Sequence, residues 1–232
     1  MGRWKRLPTD IRSHFTVMQN ISILCTDPTH PVNACLEAWV EEHRSEFNAQ
    51  IFRDFRDLEG GDILFLISCH QMIRKEVRSR FGHTLVIHAS ALPQGRGMSP
   101  HVWQILEGAN QITVTLLNAE DAVDSGDIWH QVQLQLDGSE LYNEIHAKLF
   151  QAEIDLMNWA VQNLKNAQPR VQSGVASYYP RRTPEDSRID PEKPLSTSFD
   201  LLRIADPDRY PAFFDYRNHR YTIQIRKVSK HV

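Results

Sequence analysis

Residues 62–68 read DILFLIS, an apolar run with no polar residue between Asp62 and Ser68. A strand that is covered on both faces has such continuous apolar character, whereas a half-exposed strand alternates polar and apolar residues. Similar short runs occur at residues 20–26 (NISILCT) and 84–88 (TLVIH). These segments predict the interior strands of a parallel sheet.

Segments with helical spacing separate the predicted strands. A helix with one apolar face follows the turn Asp27-Pro28, and a second helix is predicted over residues 73–81. Strands that are separated by helices pair in parallel through right-handed crossovers. We therefore predict an α/β fold with a Rossmann-like, mostly parallel sheet flanked by helices. Further strands are predicted around residues 50–52, 112–117 and 127–136, with helices over 100–106 and 140–164.

The chain is predicted to have four parts. Residues 1–17 precede the first strand and are set apart as an N-terminal extension. The main domain covers 18–165, and Pro and Arg then cluster in a predicted linker over 166–187. Residues 188–232 form a small C-terminal α+β segment with one short helix and a hairpin, whose second strand is predicted at 221–225.

The composition excludes several classes of protein. The formal net charge is −3 without any block of Lys and Arg, so the chain lacks the electrostatic footprint of a nucleic-acid-binding protein. No apolar run approaches the roughly 20 residues that span a bilayer. Three cysteines without a CxxC pair indicate reduced thiols, so we expect a cytoplasmic protein. No His or Cys spacing is typical of a metal site, and we expect no metal.

Two loops after predicted strands are dense in reactive side chains. Residues 88–97, HASALPQGRG, bring an imidazole, a hydroxyl and a guanidinium together directly after a strand. Residues 118–127, NAEDAVDSGD, follow the strand 112–117 with several carboxylates. Ligands in open α/β sheets bind at the carboxyl ends of the strands. We therefore expect His88 at the rim of a site, with these carboxylates near it.

These motifs resemble those of the folate-dependent formyltransferases. In that family a strand ends in Asn-x-His-x-Ser-x-Leu-Pro, an Arg-Gly step follows, and a later loop reads Asp-x-Gly-Asp-Ile. Here the matching segments are 86–93 (VIHASALP), Arg96-Gly97 and 124–128 (DSGDI), with a Thr-bearing strand at 113–115. The downstream elements RRTPEDSRID (181–190) and YPAFF (210–214) extend the similarity over most of residues 18–220.

The resemblance implies a reaction between two small molecules. An acceptor amine would attack the formyl carbon of 10-formyltetrahydrofolate and pass through a tetrahedral oxyanion. His88 would stabilise that oxyanion as an imidazolium and move a proton from the amine to the departing folate nitrogen. Asp124 would hold the imidazole and favour its charged form. The folate donor and a small-molecule amine are the expected partners, with no nucleic acid and no membrane, and a homodimer is left open.

The resemblance also assigns binding residues. The donor pocket is expected between the turn after residues 62–68 and the loop 118–124, with mostly main-chain contacts. Its residues are Ser68, Cys69, His70, Met72, Asn118, Glu120 and Asp121. For the acceptor we expect Arg96, Ser90, Arg182 and Tyr210. Among the arginines, Arg96, Arg182 and Arg203 carry the fork of donors that grips phosphate or carboxylate.

One departure from the family pattern concerns the oxyanion. The family asparagine two residues before the histidine is Val86 here, and valine has no donor to offer. Three alternatives stay open: Ser68, His70 or Ser90 substitutes for it, His88 acts alone, or the chain has lost activity.

A second departure narrows the acceptor. Purine-pathway members cradle a phosphate in a glycine-rich first turn, but residues 27–31 read DPTHP, in which prolines remove donors and Asp27 repels anions. The methionyl-tRNA branch carries a larger basic C-terminal domain. These differences favour the amino-sugar N-formyltransferases, and the subgroup of nonulosonic (pseudaminic-type) sugar biosynthesis in particular. A hydroxyornithine formyltransferase and a non-catalytic folate-binding module remain as alternatives. No GxGxxG follows the first strand, which argues against a nicotinamide-binding domain.

Overall fold

The computed structural model describes residues 18–228, and the predicted extension at 1–17 lies outside them. The strands are β1 (Gln19–Leu24), β2 (Phe47–Phe52), β3 (Gly61–Leu66), β4 (Phe81–His88), β5 (Arg96–Gly97), β6 (Gln111–Asn118), β7 (Ile128–Gln135), β8 (Tyr178–Tyr179), β9 (Ala212–Tyr216) and β10 (His219–Ile223). The helices are α1 (Asn33–Glu42), α2 (Lys75–Arg78), α3 (Pro100–Leu106), α4 (Tyr142–Asn163) and α5 (Leu195–Ile204). None of the helices within residues 18–228 combines the length and the hydropathy of a membrane-spanning segment.

A six-stranded sheet in the order β2-β1-β3-β4-β6-β7 forms the centre of the main domain. The first four strands in that order are parallel, and β6 and β7 are antiparallel to their neighbours. The predicted α/β fold with a mostly parallel sheet is therefore confirmed. The reversed direction of β6 was not predicted, because the alternation of strands and helices does not show which connection reverses the chain.

The apolar run of β3 is continuous because each face of the sheet packs against a separate core. Ile63 and Phe65 belong to the larger core, to which α1 and α4 contribute. Leu64 and Leu66 belong to a second core on the other face, together with Val77 of α2. Successive side chains of a strand point to opposite faces, so both sets must be apolar.

Two predicted elements differ from the structure. The helix predicted over residues 73–81 is only α2, and Phe81 instead begins β4, where its side chain is buried in the second core. The last strand is β10 rather than residues 221–225. Its register is set by the hairpin turn at Arg217 and Asn218, whose positive φ angles of 49° and 63° suit a tight two-residue loop.

The central strand β4 should be sensitive to loss of packing. Leu85 is 0% exposed in the larger core, whereas Leu195 at the start of α5 is 64% exposed. We expect Leu85→Ala to lower the free energy of unfolding by about 2–5 kcal/mol, because it leaves a cavity that the sheet cannot close. Leu195→Ala removes the same atoms and should change it little. Urea unfolding of both variants measures the difference, and equal losses would contradict the assigned core.

Helix α4 carries a carboxyl group without a partner. Oε2 of Glu153 is buried and has no hydrogen-bond partner in the described part of the chain. Burial raises the pKa of Glu153 from its ordinary 4.5 to about 8. Folding therefore keeps this group protonated at neutral pH, at a pH where the unfolded chain releases the proton.

The free energy of unfolding should consequently decrease as the pH rises. The contribution of Glu153 is fully present below pH 4.5 and is lost as the pH rises through about 8, since the unfolded state then binds fewer protons than the folded state. We expect Glu153→Gln to be more stable than the parent at pH 8 and nearly equal to it at pH 5. Denaturant midpoints across that range provide the measurement. The exposed Glu37→Gln serves as the control, and a parallel shift in both variants would rule out the assigned cause.

Candidate active site

His88 and Asp124 form a buried pair at the end of β4. Nδ1 of His88 lies 3.5 Å from Oδ2 of Asp124, and both side chains are less than a tenth exposed. On the other side of the ring, Nε2 lies 2.8 Å from the carbonyl oxygen of Gly95. A carbonyl oxygen can only accept, so Nε2 carries a proton. Both ring nitrogens of His88 therefore face acceptor atoms.

The loop after β6 holds Asp124 in an unusual conformation. Its φ of 52° is in the left-handed region, which Asp and Asn tolerate better than most residues. Oδ2 also accepts a hydrogen bond from the N–H of Gly97 at 2.9 Å. Gly126 lies so close to the carbonyl of Asn118 that it leaves no room for a side chain. The loop therefore returns tightly and aims the carboxylate at His88.

A segment far along the chain closes the site. The short strand β8 pairs in parallel with β5. Nε2 of Gln172 donates to the carbonyl oxygens of both Asp124 and Gly126 at 2.8 Å. Its Oε1 accepts a hydrogen bond from Arg96 Nη2 at 2.7 Å. Gln172 was not among the predicted site residues, because only the folded chain brings it beside the Asp124 loop.

Val86 is a packing residue. Its side chain contacts the second core and also a small cluster of Leu92, Leu117 and Ile128. Of the three groups considered as substitutes for the family asparagine, Oγ of Ser68 lies 3.3 Å from Nε2 of His30. His70 is exposed. Oγ of Ser90 is buried and has no hydrogen-bond partner among residues 18–228.

The residues predicted to bind the donor lie on the two expected loops. Cys69 and Ala119, one from each loop, pack against the second core, so this core lies between the two loops. Burial raises the pKa of the Cys69 thiol. Met72 is 55% exposed and free to contact a ligand.

Three polar side chains on the donor side already have partners. Oδ1 of Asn118 accepts a hydrogen bond from Trp129 Nε1 at 2.7 Å. Asp121 and Glu120 lie 2.8 and 3.7 Å from the guanidinium of Arg78.

Arg182, one of the residues predicted to bind the acceptor, lies against α3. Arg182 lies over the ring of Trp103 at 5.5 Å, and Trp103 stacks on Tyr179. Among the described residues, Nη1 of Arg182 and Nε of Arg96 are buried without a partner, as is Nε2 of His101. Burial lowers the pKa of His101 to about 3, and the nearby His146 and His88 contribute.

Tyr210, also predicted to bind the acceptor, follows α5 in the chain. Tyr210 is 56% exposed, and the guanidinium of Arg209 lies 5.7 Å from its ring. Arg209 also binds Asp27 in the first turn at 2.8 Å. His30, His101 and Trp103 were not among the residues predicted from the sequence. His101 and Trp103 could have been identified, because they lie in a helix directly after the HASALPQGRG motif. No group of three or more His, Cys, Asp or Glu side chains within 18–228 is arranged to hold a metal ion.

Comparisons with known proteins identify the family and the fold of the chain. The profile of the family described as "Formyl transferase" matches residues 22–161, more than half of the chain. Methionyl-tRNA formyltransferase from Clostridium thermocellum is 25% identical with a TM-score of 0.76, and the alignment covers 93% of this chain and 96% of that one. A sugar N-formyltransferase from Shewanella sp. is 15% identical with a TM-score of 0.71, covering 92% and 100%.

A third similar structure contains a folate. HypX from Aquifex aeolicus, solved in complex with tetrahydrofolic acid, is 18% identical with a TM-score of 0.75. The alignment covers 90% of this chain but only 38% of HypX. The range matched by the family model includes both loops of the His88–Asp124 site. The similar solved structures also cover the chain outside that range. The chain therefore belongs to the formyl transferase family and is a formyl-transfer enzyme.

Proposed function

We propose that this enzyme moves a formyl group from 10-formyltetrahydrofolate to the amine of an amino sugar. The observation that carries the proposal is the buried His88–Asp124 pair, whose imidazole lies between a carboxylate and a carbonyl oxygen. Such an imidazole supplies positive charge to an oxyanion and a proton to a leaving nitrogen. The tetrahydrofolate bound by HypX and the sugar acceptor in the description of the Shewanella enzyme support the choice of substrates.

The proposed reaction has two steps. The amine nitrogen attacks the formyl carbon, and the electron pair of the C=O bond moves to oxygen, which gives a tetrahedral oxyanion. As this intermediate collapses, the bond from carbon to the folate nitrogen breaks, and that nitrogen takes up a proton while the former amine loses one. His88 gives its proton to the folate nitrogen and takes up the proton that the former amine loses, and the negative charge of Asp124 stabilises the imidazolium while it is present.

Ser90 is the proposed second donor to the oxyanion. It lies two residues after His88, and its Oγ is both buried and unpartnered among the residues described. Ser68 and His70 are weaker candidates, because Ser68 already lies against His30 and His70 is exposed. This assignment would compensate for the apolar side chain of Val86.

The acceptor is proposed to carry an anionic group beside its amine. Arg96 and Arg182 each have a buried guanidinium nitrogen without a partner within 18–228, and each guanidinium lies next to an aromatic ring. Unpartnered buried donors are costly and are satisfied by a ligand that brings acceptors. A nucleotide-linked sugar or a nonulosonic acid precursor, with phosphate or carboxylate oxygens, meets this requirement. Hydroxyornithine also offers a carboxylate and therefore remains the alternative acceptor, although it is smaller and has only this one anionic group.

The catalytic pair can be tested directly. We expect His88→Ala and Asp124→Asn each to lower kcat/KM by about 10²–10⁴-fold, since proton transfer and charge stabilisation are lost. Asparagine keeps the shape of Asp124 and tolerates its positive φ. His219→Ala and Asp155→Asn, on the terminal hairpin and the exposed side of α4, are the matched controls and should keep the parent rate. Full activity in either site variant would refute the assigned roles.

A single-turnover assay distinguishes an enzyme from a protein that only binds folate. Val86 is the specific observation that favours a folate-binding protein without transfer activity. A single-turnover experiment with labelled formyl donor and a panel of amino sugars, hydroxyornithine and water as acceptors should give one labelled amide. Tight folate binding without transfer to any acceptor would overturn the proposal.

Arg182 should affect acceptor binding alone. We expect Arg182→Met to raise KM for the acceptor by about tenfold or more, because a charge-assisted hydrogen bond to the anionic group is lost. KM for the folate donor should stay unchanged. Arg181→Met is the matched control, since the neighbouring Arg181 is exposed. A loss that appears in the KM of the folate donor would show that the two sides of the site are wrongly assigned.

A further inference from the structure

Gln172 lies in a segment that the family model does not cover. The match ends at residue 161, and residues 166–187 are predicted from the sequence as a linker. Val171 and Val175 nearby are 75% and 86% exposed, whereas Gln172 is half-buried. The apolar side chains of this stretch thus stay outside the core, and hydrogen bonds hold it in place.

Two anchors fix the segment around Gln172. Before it, Arg170 exchanges backbone hydrogen bonds with Ile128 at the start of β7, at 2.8 Å in each direction. After it, Oγ of Ser177 accepts from the N–H of Gly95 at 2.9 Å, and β8 pairs with β5. The segment therefore runs from the end of the Asp124 loop to the loop after β4, with Gln172 between them.

The amide of Gln172 uses both its donor and its acceptor. Nε2 donates to the carbonyl oxygens of Asp124 and Gly126, both at 2.8 Å. Oε1 accepts from Nη2 of Arg96 at 2.7 Å. A carbonyl oxygen can only accept and a guanidinium can only donate, so these partners fix which end of the amide faces the loop. Glutamine meets both requirements, whereas an ionised glutamate has no donor and leucine has neither group.

These contacts close a ring that holds Asp124 at two points. Gln172 binds its backbone carbonyl, and the N–H of Gly97 binds Oδ2 of its carboxylate at 2.9 Å. The two holders are joined, because Arg96 donates to Gln172 and directly precedes Gly97. The φ of Asp124 is 52°, a left-handed conformation that persists only where surrounding contacts support it. The contact of its carboxylate with His88 therefore depends on this ring.

We infer that Gln172 is a positioning residue for formyl transfer, which keeps the carboxylate of Asp124 against the imidazole of His88. The inference rests on the roles proposed for that pair. Gln172 acts through Asp124 and not through the folate or the acceptor. A displaced carboxylate stabilises less of the positive charge that the imidazole carries in the transition state. Loss of Gln172 should therefore lower kcat and leave KM for 10-formyltetrahydrofolate unchanged.

Nitrogen NMR of the histidine rings tests this position without any acceptor. The full-length protein is labelled with isotope-enriched histidine, and the Nδ1 signal of His88 is the one that His88→Ala removes. Asp124→Asn changes the partner of this nitrogen, and we expect Gln172→Leu and Gln172→Glu to shift the signal in the same direction. Gln172→Glu keeps an acceptor for Arg96 and removes only the donor, so it reports on position even where Gln172→Leu impairs folding. The exposed Gln168→Leu, in the same segment, is the control and should leave the signal unchanged.

A double variant separates a direct role from general damage. In the Asp124→Asn background, Gln172→Leu should leave the His88 signal where Asp124→Asn alone puts it, because both changes act on one contact. Thermal unfolding of each variant checks that it is folded at the temperature of the measurement. A His88 signal at the parent position in folded Gln172 variants overturns the inference, and so does a further shift in the double variant.

Kinetics with 10-formyltetrahydrofolate and the acceptor panel give a second readout. We expect kcat to fall about 10–100-fold in Gln172→Leu and Gln172→Glu, with KM for the folate donor unchanged. A residue that only ties the segment down would lower Tm and leave kcat unchanged, and that result would also overturn the inference. If no acceptor is formylated, the proposed function fails, and the His88 signal still decides the role of Gln172.

Discussion

Oδ2 of Asp124 joins the parts of the site to one another. It accepts the N–H of Gly97 from the loop after β4 and faces the imidazole of His88. Gln172 then binds the backbone on both sides of this turn and connects it to Arg96. If this carboxylate moved, the loop after β4, the loop after β6 and the segment around β8 would no longer be held together by contacts to the same turn. The positive φ of Asp124 is maintained because all three contact the same turn.

The sheet could be predicted because its strands obey one simple constraint. Residues of β3 alternate between two cores, so the strand must be apolar throughout. The sequence DILFLIS shows this, because every residue between Asp62 and Ser68 is apolar. The prediction of a helix over residues 73–81 was wrong for a related reason. Phe81 has the apolar character of either a helix face or a strand end, and only its burial against the second core decides between them. The antiparallel direction of β6 depends on contacts along the whole strand, which no local pattern contains.

The site could be predicted where its residues lie in compact motifs. His88, Ser90 and Arg96 stand within nine residues, and the Asp124 loop has a recognisable turn sequence. By contrast, Arg182 contacts Trp103 although the two residues are distant in the sequence, and the indole N–H of Trp103 donates to the carbonyl of Pro180 at 3.0 Å. Such contacts depend on the path of the segment between α4 and α5. That path is set by the pairing of β8 with β5, and two-residue strands have no sequence signature.

Val86 shows how packing and chemistry compete for one position. The end of β4 lies between the second core and the cluster of Leu92, Leu117 and Ile128, and an apolar side chain there joins the two. An asparagine at this point would have to place its amide among these apolar groups or turn it toward a ligand. Valine avoids the cost of burying that amide, but it has no hydrogen-bond donor to offer. The proposed catalytic burden then falls on groups beyond the end of the strand, where Ser90 is buried and still lacks a partner among the described residues.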